Sequence, residues 1–401
     1  MFIYIFTTYP LYSETFLQRE QFILDFFNKK RFLVSLWGGG GVWNKNTRIN
    51  VFKLTGLFKL PFNLTFWICR EGVALGNLFK NIKPFKITYL ENLLENLLGF
   101  VFSILNAKIL EKKNFKGVHA AWSSAPSTSA LVLGLLLNKP CSSGAHAYDI
   151  FQNKGDFLIK LKSIRNVFIH TSTFEGVRKL YSEVFFHKKI KMIRRGLDKT
   201  PIRLSWVSIN TTLNSPIRLL SVGRLVEKKD YNFQINLLYF LKELKVNFTY
   251  TLIGKGFLFK EICLKVKRLG LCKKVNVLNN LTFTKIKGFY TKSDVFLFSG
   301  KVAVSGDRDG LPNVVPEAIA FGLPTVVSYI GGLPEFLKSN LNGIIVSLKK
   351  FSLWKRKVLY LLKYNKLYNK LRRNGYFWVV KNFNAYRNTN KLITILENYF
   401  K

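Results

Sequence analysis

Gly306-Asp307-Arg308-Asp309-Gly310-Leu311-Pro312-Asn313-Val314-Val315-Pro316-Glu317-Ala318-Ile319-Ala320-Phe321-Gly322-Leu323-Pro324 reads as a loop that runs into a short helix. Pro312 suits the first helical turn, where its fixed φ is already helical and its missing N–H goes unused, and Gly322 with Pro324 ends the helix. Asp309 and Glu317 stand eight positions apart around a loop opened by Gly310. A helix start presents unpaired backbone N–H groups and the positive end of the dipole to an anion, while carboxylates accept hydrogen bonds from hydroxyls. Together they make a cradle for a phosphate joined to a sugar. The plain alternative is a helix and turn bounded by proline and glycine.

The neighbouring chain supplies a context. Ile217 to Val222 is an apolar run of strand type, and Gly223-Arg224-Leu225-Val226-Glu227-Lys228-Lys229 follows where a strand-to-helix loop would lie. Arg224 offers a rigid fork of donors and Lys229 a mobile point charge, a combination suited to two linked phosphates. A solvated basic turn is the alternative. Thr249 to Ile253, Val275 to Leu278, Val295 to Phe298 and Thr325 to Ser328 continue an alternation of short apolar strands with helical segments. That alternation predicts an α/β fold with a parallel, doubly wound sheet, whose ligands bind beyond the carboxyl ends of the strands. Gly254-Lys255-Gly256 and Gly331-Gly332-Leu333-Pro334-Glu335 fall on that same edge.

The quoted stretch resembles the donor-site signature of retaining glycosyltransferases of family 4, in which two Glu residues flank seven others. Asp309 replaces the first Glu. The resemblance implies the GT-B architecture, two Rossmann-like doubly wound domains facing a central cleft. It implies a donor site made of Arg224, Lys229, Gly310, Leu311, Asn313, Val314 and Glu317, with Glu317 on the nucleotide ribose and Asp309 at the reacting sugar. The family usually carries Gly after the lysine, where this chain has Asp230. Tyr9-Pro10-Leu11-Tyr12-Ser13-Glu14-Thr15-Phe16-Leu17-Gln18-Arg19-Glu20 and Gly144-Ala145-His146-Ala147-Tyr148-Asp149-Ile150-Phe151 are similar to segments of the colanic-acid-type exopolysaccharide transferases. That likeness puts Ser13, Glu14 and Thr15 on the acceptor side, although a helix-capping box would use the same residue types. It makes His146 the catalytic histidine, with Asp149 fixing its orientation or bonding the acceptor. Val118-His119-Ala120-Ala121-Trp122 matches a strand end that often carries a second histidine, here Ala121. Trp122 is expected in the core or on a sugar face, His170 in the core or at a strand end, and His187 on the surface.

The implied function is transfer of a hexose from a nucleotide-diphosphate sugar to a hydroxyl of a glycan or lipid-linked acceptor, with retention, in exopolysaccharide, capsule or lipopolysaccharide assembly. The implied chemistry uses no metal or other cofactor. The departures at Asp309, Asp230 and Ala121 keep open a catalytically weakened scaffold or binding protein. A sugar-nucleotide epimerase of similar shape is the enzyme alternative.

Composition frames these expectations. The 401 residues, 48% hydrophobic, are enough for two buried cores. The first domain is expected over 1–193, a linker rich in Thr, Ser and Asn over 194–216 and the nucleotide-sugar domain over 217–376. A helical segment over 377–401 packs back on the first domain in this fold. Cys69, Cys141, Cys263 and Cys272 include no close pair of metal-ligand spacing and suit a reducing cytoplasm. No signal peptide is expected at the N-terminus. Tyr89 to Leu110 is the most apolar long segment, but Glu91 and Glu95 lie inside it, a high cost for a spanning helix. The formal charge of +41 is dispersed along the chain, which argues against specific nucleic-acid binding. Lys and Arg mixed with Phe and Trp in the N-terminal half suit an anionic membrane surface, with Lys80 to Lys86 as one candidate contact and a solvated loop as the plain reading of that stretch. The expected location is cytoplasmic, either free or peripheral on the inner face of the cytoplasmic membrane.

Overall fold

The computed structural model describes residues 1–11, 14–38, 49–51, 54–81, 90–151, 167–183, 189–197, 216–279 and 281–400. Ser13, His187, Lys83 and most of the expected linker lie outside the described residues. The chain divides into two compact units, one of Met1–Asp198 with Ala385–Lys401 and one of Lys199–Asn384.

The first unit is built on β1 (Phe2–Tyr9), β2 (Arg31–Gly38), β3 (Ile49–Val51), β4 (Val118–Ala120), β5 (Cys141–Gly144), β6 (Val167–Thr171) and β7 (Ile190–Met192). Its sheet has seven strands in the order β3-β2-β1-β4-β5-β6-β7, with every pairing parallel. Consecutive residues Ile3 to Phe6 are all buried, as required of a parallel strand covered on both faces. Helices α1 (Thr15–Phe26), α2 (Leu60–Asn81), α3 (Leu90–Glu111), α4 (Ala125–Leu136), α5 (Ala147–Phe151) and α6 (Phe174–Glu183) connect the strands. The strand order reverses between β1 and β4, so the loops leaving those strands open a crevice there.

Helix α3 seats one face on the core through Phe102, Ala107 and Leu110. Gly99 permits its close approach to α4, since a Cβ there would stand 2.5 Å from the Ala125 carbonyl oxygen. Among the described residues, Leu93–Glu111 is the one helical stretch long and apolar enough to cross a membrane, and 33% of its most apolar window is buried.

The second unit contains β8 (Ile217–Val222), α7 (Tyr231–Glu243), β9 (Phe248–Ile253), α8 (Phe259–Arg268), β10 (Val275–Leu278), α9 (Phe283–Lys292), β11 (Val295–Phe298), α10 (Val314–Ala320), β12 (Thr325–Ser328), α11 (Leu333–Phe336), β13 (Ile344–Val346), α12 (Phe351–Lys363) and α13 (Asn365–Asn382). Its six strands run β10-β9-β8-β11-β12-β13, all parallel, and the order reverses between β8 and β11. Both units are thus doubly wound α/β sheets, the fold class the sequence predicts.

Two expectations need correction. The helix expected at Pro312 begins at Val314. The carbonyls of Pro312 and Asn313 accept its first bonds, from Val315 N (3.1 Å) and Glu317 N (3.0 Å), so Pro312 sits just before the helix. Pro316 fills the third helical position, where the N–H has no intrahelical partner in any case. Gly322 ends α10 as expected: it adopts φ 73°, and Leu323 N reaches back to Ala318 O at 3.0 Å. The second correction concerns the C-terminal segment, which belongs to the first unit from Ala385 and not from Phe377. Nothing in Phe377–Asn382 interrupts a helix, so α13 runs on, with Trp378 stacked on Phe336 at 4.9 Å. The last helix, α14 (Ala385–Tyr399), then buries Leu392 and Leu396 with Phe168 and Ile193 of the first unit.

Candidate functional site

In the second unit the loops that leave β8 and β11 flank the point where strand order reverses, and the basic and acidic residues of the two motifs meet there. Lys229 is buried and its Nζ donates to Asp309 Oδ2 at 2.8 Å. Lys228, also buried, donates to Asp307 Oδ1 at 3.0 Å and stands 4.0 Å from Asp309. Burial pushes the Lys229 ammonium below the ordinary lysine range, and the Asp309 charge opposes that shift. Arg224 is exposed at the mouth of the same loop. The backbone of Lys229 and Asp230 is held by Ser299, whose single hydroxyl proton is shared between Lys229 O at 2.9 Å and Asp230 O at 2.8 Å. Asp230 adopts φ 45°, the left-handed conformation that glycine takes without strain.

Glycines bring the remaining loops into register. A side chain on Gly331 would strike the carbonyl oxygens of Asp309 and Gly310, and Gly332 N donates to Gly310 O at 2.5 Å. The turn after β12 is therefore laid directly against the loop of the quoted motif. Gly254 lies against the Gly223 carbonyl in the same manner, which joins the turn after β9 to the Arg224 loop. Glu317, on α10, is buried and accepts from Tyr290 Oη at 3.3 Å. Leu311, Asn313 and Val314 are half-buried along the approach to that helix, with Gly310 behind them. Among the residues assigned to this site, Arg224, Lys229, Asp309 and Gly310 are carried by adjacent loops of one sheet edge, and Glu317 by the helix that follows the second of them.

Sequence reasoning did not single out Lys228 or Tyr290. Lys228 reads as one more cation in a basic chain, and Tyr290 lies 27 residues from its carboxylate partner, so no local pattern marks either.

In the first unit His146 follows β5 and precedes α5. Its backbone N–H donates to Asp149 Oδ2 at 2.8 Å, and Ile150 N donates to His146 O at 3.0 Å. Asp149 thus orients the histidine through its main chain, as the third residue of a capping box does. The ring meets the edge of Trp122 at 4.6 Å and of Phe16 at 5.5 Å, and its Nε2 lies 2.7 Å from Arg195 Nη2 and 3.2 Å from Ala121 O. Trp122 is half-buried against this ring. Arg195 is ion-paired to Glu20, which also accepts from Tyr4 Oη. His119 and His170 lie behind, with their Nε2 atoms 3.4 Å apart and His119 Nδ1 2.7 Å from Ser142 Oγ. Burial first, and the Arg195 charge after it, push His119 down to about 3, and the same causes lower His146 well below the ordinary histidine range. His170 is lowered likewise, by burial and then by the neighbouring histidine and arginine charges.

Glu14 is the N-cap residue of α1 and Thr15 its first helical residue, with no side-chain cap bond. The capping box considered for this loop is absent from the described residues, and Ser13 lies outside them. Glu20, Arg195 and Tyr4 were not singled out: they are 16 and 175 residues from one another in sequence, and only the fold assembles them.

Comparison with known proteins gives one family model, glycosyl transferases group 1, which matches residues 207–378. The amylovoran biosynthesis glycosyltransferase AmsK of Erwinia amylovora is 33% identical over 156 residues, 39% of this chain and 38% of that protein. The putative colanic acid biosynthesis glycosyltransferase WcaL of Escherichia coli K12 is 30% identical over 159 residues, 40% of this chain and 38% of that protein. The matched stretches therefore span well under half the length of these relatives. The crystal structure of Anabaena Alr3699/HepE in complex with UDP-glucose superposes with a TM-score of 0.70 over 99% of this chain and 100% of that one, at 14% identity. That likeness is one of fold.

Proposed function

We propose, from the premise that residues 207–378 belong to the glycosyl transferases group 1 family, that this chain moves a hexose from a nucleotide-diphosphate sugar to a hydroxyl of a glycan or lipid-linked acceptor, in exopolysaccharide, capsule or lipopolysaccharide assembly. The observation that carries the reading is the Lys229–Asp309 pair at the strand-order reversal of the second unit, with Lys228 beside it and Glu317 buried behind. Two preset ammonium groups and an exposed guanidinium suit a diphosphate, and the carboxylates suit sugar and ribose hydroxyls. The UDP-glucose held by the fold neighbour supports a nucleotide-sugar donor. In this reading Asp309 and Asp307 hold the two lysines in order, and Asp309 favours the charged form of Lys229, until the diphosphate takes their place, after which Asp309 is released toward the sugar.

The step proposed is transfer with retention. The bond from the anomeric carbon to the leaving phosphate oxygen breaks while the bond to the acceptor oxygen forms on the same face, and the acceptor proton passes to the leaving phosphate oxygen. Arg224, Lys228 and Lys229 stabilise the charge that grows on the diphosphate, so the proposed chemistry draws its positive charge from side chains and not from a metal. Losing one preorganised donor of this kind typically costs about 2.7 to 4 kcal/mol of barrier. His146 offers a hydrogen bond to a sugar hydroxyl, and Glu14, Thr15 and Asp149 belong to the acceptor side.

The reading also places the chain on the anionic inner face of the cytoplasmic membrane. Its support is an apolar face of the first unit: Phe58, Phe62 and Val73 are 70%, 77% and 82% exposed, and Leu90, Leu93, Leu94 and Leu97 form an exposed stripe on α3. Lys108 stands 3.5 Å from the centre of the Phe66 ring, so the face mixes cations with aromatic surface.

The test is a thermal-shift panel of nucleotide-sugars, with turnover measured on the responsive donor. One donor class raises the midpoint of the native protein, and Arg224→Ala and Glu317→Ala each lower turnover by roughly two orders of magnitude or more. Near-normal turnover in both variants would overturn the site, and product formed without any acceptor would favour an epimerase or hydrolase.

A further inference from the structure

The side chains around His146 form a relay that the proposed transfer does not by itself require. Arg195 Nη2 lies 2.7 Å from His146 Nε2, and a guanidinium can only donate, having no lone pair to offer. The ring nitrogen that faces it must therefore be the unprotonated one, and the ring proton must sit on Nδ1. The same Nε2 lies 3.2 Å from Ala121 O, which would call for the opposite arrangement, a proton on Nε2. The two contacts cannot both be hydrogen bonds. The shorter one, to a permanent cation, wins, because charge-assisted bonds are roughly twice as strong as neutral ones.

Arg195 is itself held against Glu20, and both side chains are nearly buried, 11% and 6% exposed. Tyr4 Oη donates to the other Glu20 oxygen, and the guanidinium lies 4.6 Å from the Phe16 ring centre, over a residue that also meets the His146 ring. Burying an ion pair costs several kcal/mol per ion unless each partner is well bonded, and an apolar replacement would often stabilise the fold equally well. A buried trio of Tyr4, Glu20 and Arg195 that spans β1, α1 and the segment after β7 and ends on one histidine nitrogen is an expensive way to make a core. The groups that face the ring are Arg195, Asp149 through the main chain, and His170 and His119 behind it. Arg195 is the one permanent charge among them.

We propose that Arg195, anchored by Glu20 and Tyr4, is a positioning residue that fixes His146 as the neutral tautomer with its proton on Nδ1. Nδ1–H is then the single donor the ring can offer to a sugar hydroxyl, and Nε2 is withheld from proton transfer. The consequence for turnover rests on the transferase reading, whereas the tautomer is a property of the protein without substrate.

The experiment is long-range 1H–15N correlation of the full chain labelled in its histidines, with His146→Gln used to assign the ring. The expected pattern at pH 7.5 is that of a proton on Nδ1. In Arg195→Met the pattern changes to a proton on Nε2, directed to Ala121 O, and the ring becomes easier to protonate. Glu20→Gln, which keeps the Tyr4 bond and loosens the guanidinium, shows a mixture of the two tautomers. A proton on Nε2 in the native protein overturns the proposal, and so does a native pattern retained in Arg195→Met. If Arg195→Met does not fold, the native spectrum and Glu20→Gln still decide. A donor that binds while the tautomer is wrong sinks this inference alone. A correct tautomer with no donor binding leaves the relay standing and removes the transferase reading.

Discussion

Asp230 holds φ 45° at the end of the loop that carries Lys229, a conformation that costs an L-residue with a bulky side chain roughly 1 to 2 kcal/mol. Asp is among the few types that tolerate it, and glycine, which avoids the strain, loses about 0.5 to 1 kcal/mol through its freer unfolded chain. These opposing effects are of similar size, so Asp230→Gly should change stability in chemical denaturation by no more than about 0.5 kcal/mol, and Asp230→Val should lower it by about 1 to 2 kcal/mol. An unaffected Asp230→Val would show that the loop does not need the left-handed conformation. The departure from the family's glycine is on this account a tolerated exchange that leaves Lys229 where the resemblance put it. The residues legible in sequence were those whose type and spacing are local: Arg224, Lys229, Asp309, Gly310, Glu317 and His146. Lys228, Tyr290, Glu20 and Arg195 were not, because their partners are set by strand order.

At the scale of elements, the short apolar runs of the second unit were readable because most lie beside glycine or proline, as Ile217–Val222 does before Gly223 and Thr325–Ser328 after Pro324, while Val275–Leu278 is marked by its apolar residues alone. The start of α10 was misplaced because Pro312 suits either the first turn or the residue before it. The exposed face of α2 and α3 was not legible as a face: the sequence showed an apolar segment with Glu91 and Glu95 inside it, and only packing decides which flank is covered. Phe62 and Phe66 stand one turn apart on α2 before its kink at Glu71, Val73 is exposed just beyond the kink, and Leu90, Leu93, Leu94 and Leu97 have the i, i+3, i+4, i+7 spacing of one face of α3. Exposed apolar side chains grouped on two packed helices in this way mark an interaction site. Flotation with vesicles of anionic and of neutral lipid should recover the protein with the anionic ones, release most of it at about 1 M salt, where the screening length falls to roughly 3 Å, and fail for Phe62→Glu with Val73→Glu. Binding to neutral and anionic vesicles alike, or an unaffected double variant, would remove this face from the membrane reading.

At the scale of the whole molecule, the histidines are unevenly shared: all four lie in the first unit, and residues 199–384 contain none. His119 is pushed down to about 3 by burial, and His146 and His170 are lowered by burial and by the neighbouring charges. An unfolded histidine takes up its proton near pH 6.5, so between that value and the lowered folded ones the unfolded chain binds more protons. Stability of the first unit then falls as pH falls through this window, and each histidine that stays neutral in the folded chain steepens the fall. The dispersed positive charge, +41 in all, adds self-repulsion in both units as carboxylates begin to protonate, but it does not separate one unit from the other. Calorimetric scans from pH 7.5 to 5 should therefore show one transition sliding to lower temperature while a second, from the histidine-free unit, moves much less. Limited proteolysis at pH 5 should cut first within 1–198. Two transitions that move in parallel would mean that the three rings are hydrated and titrate normally, and would take with them the neutral state on which the Arg195 relay depends.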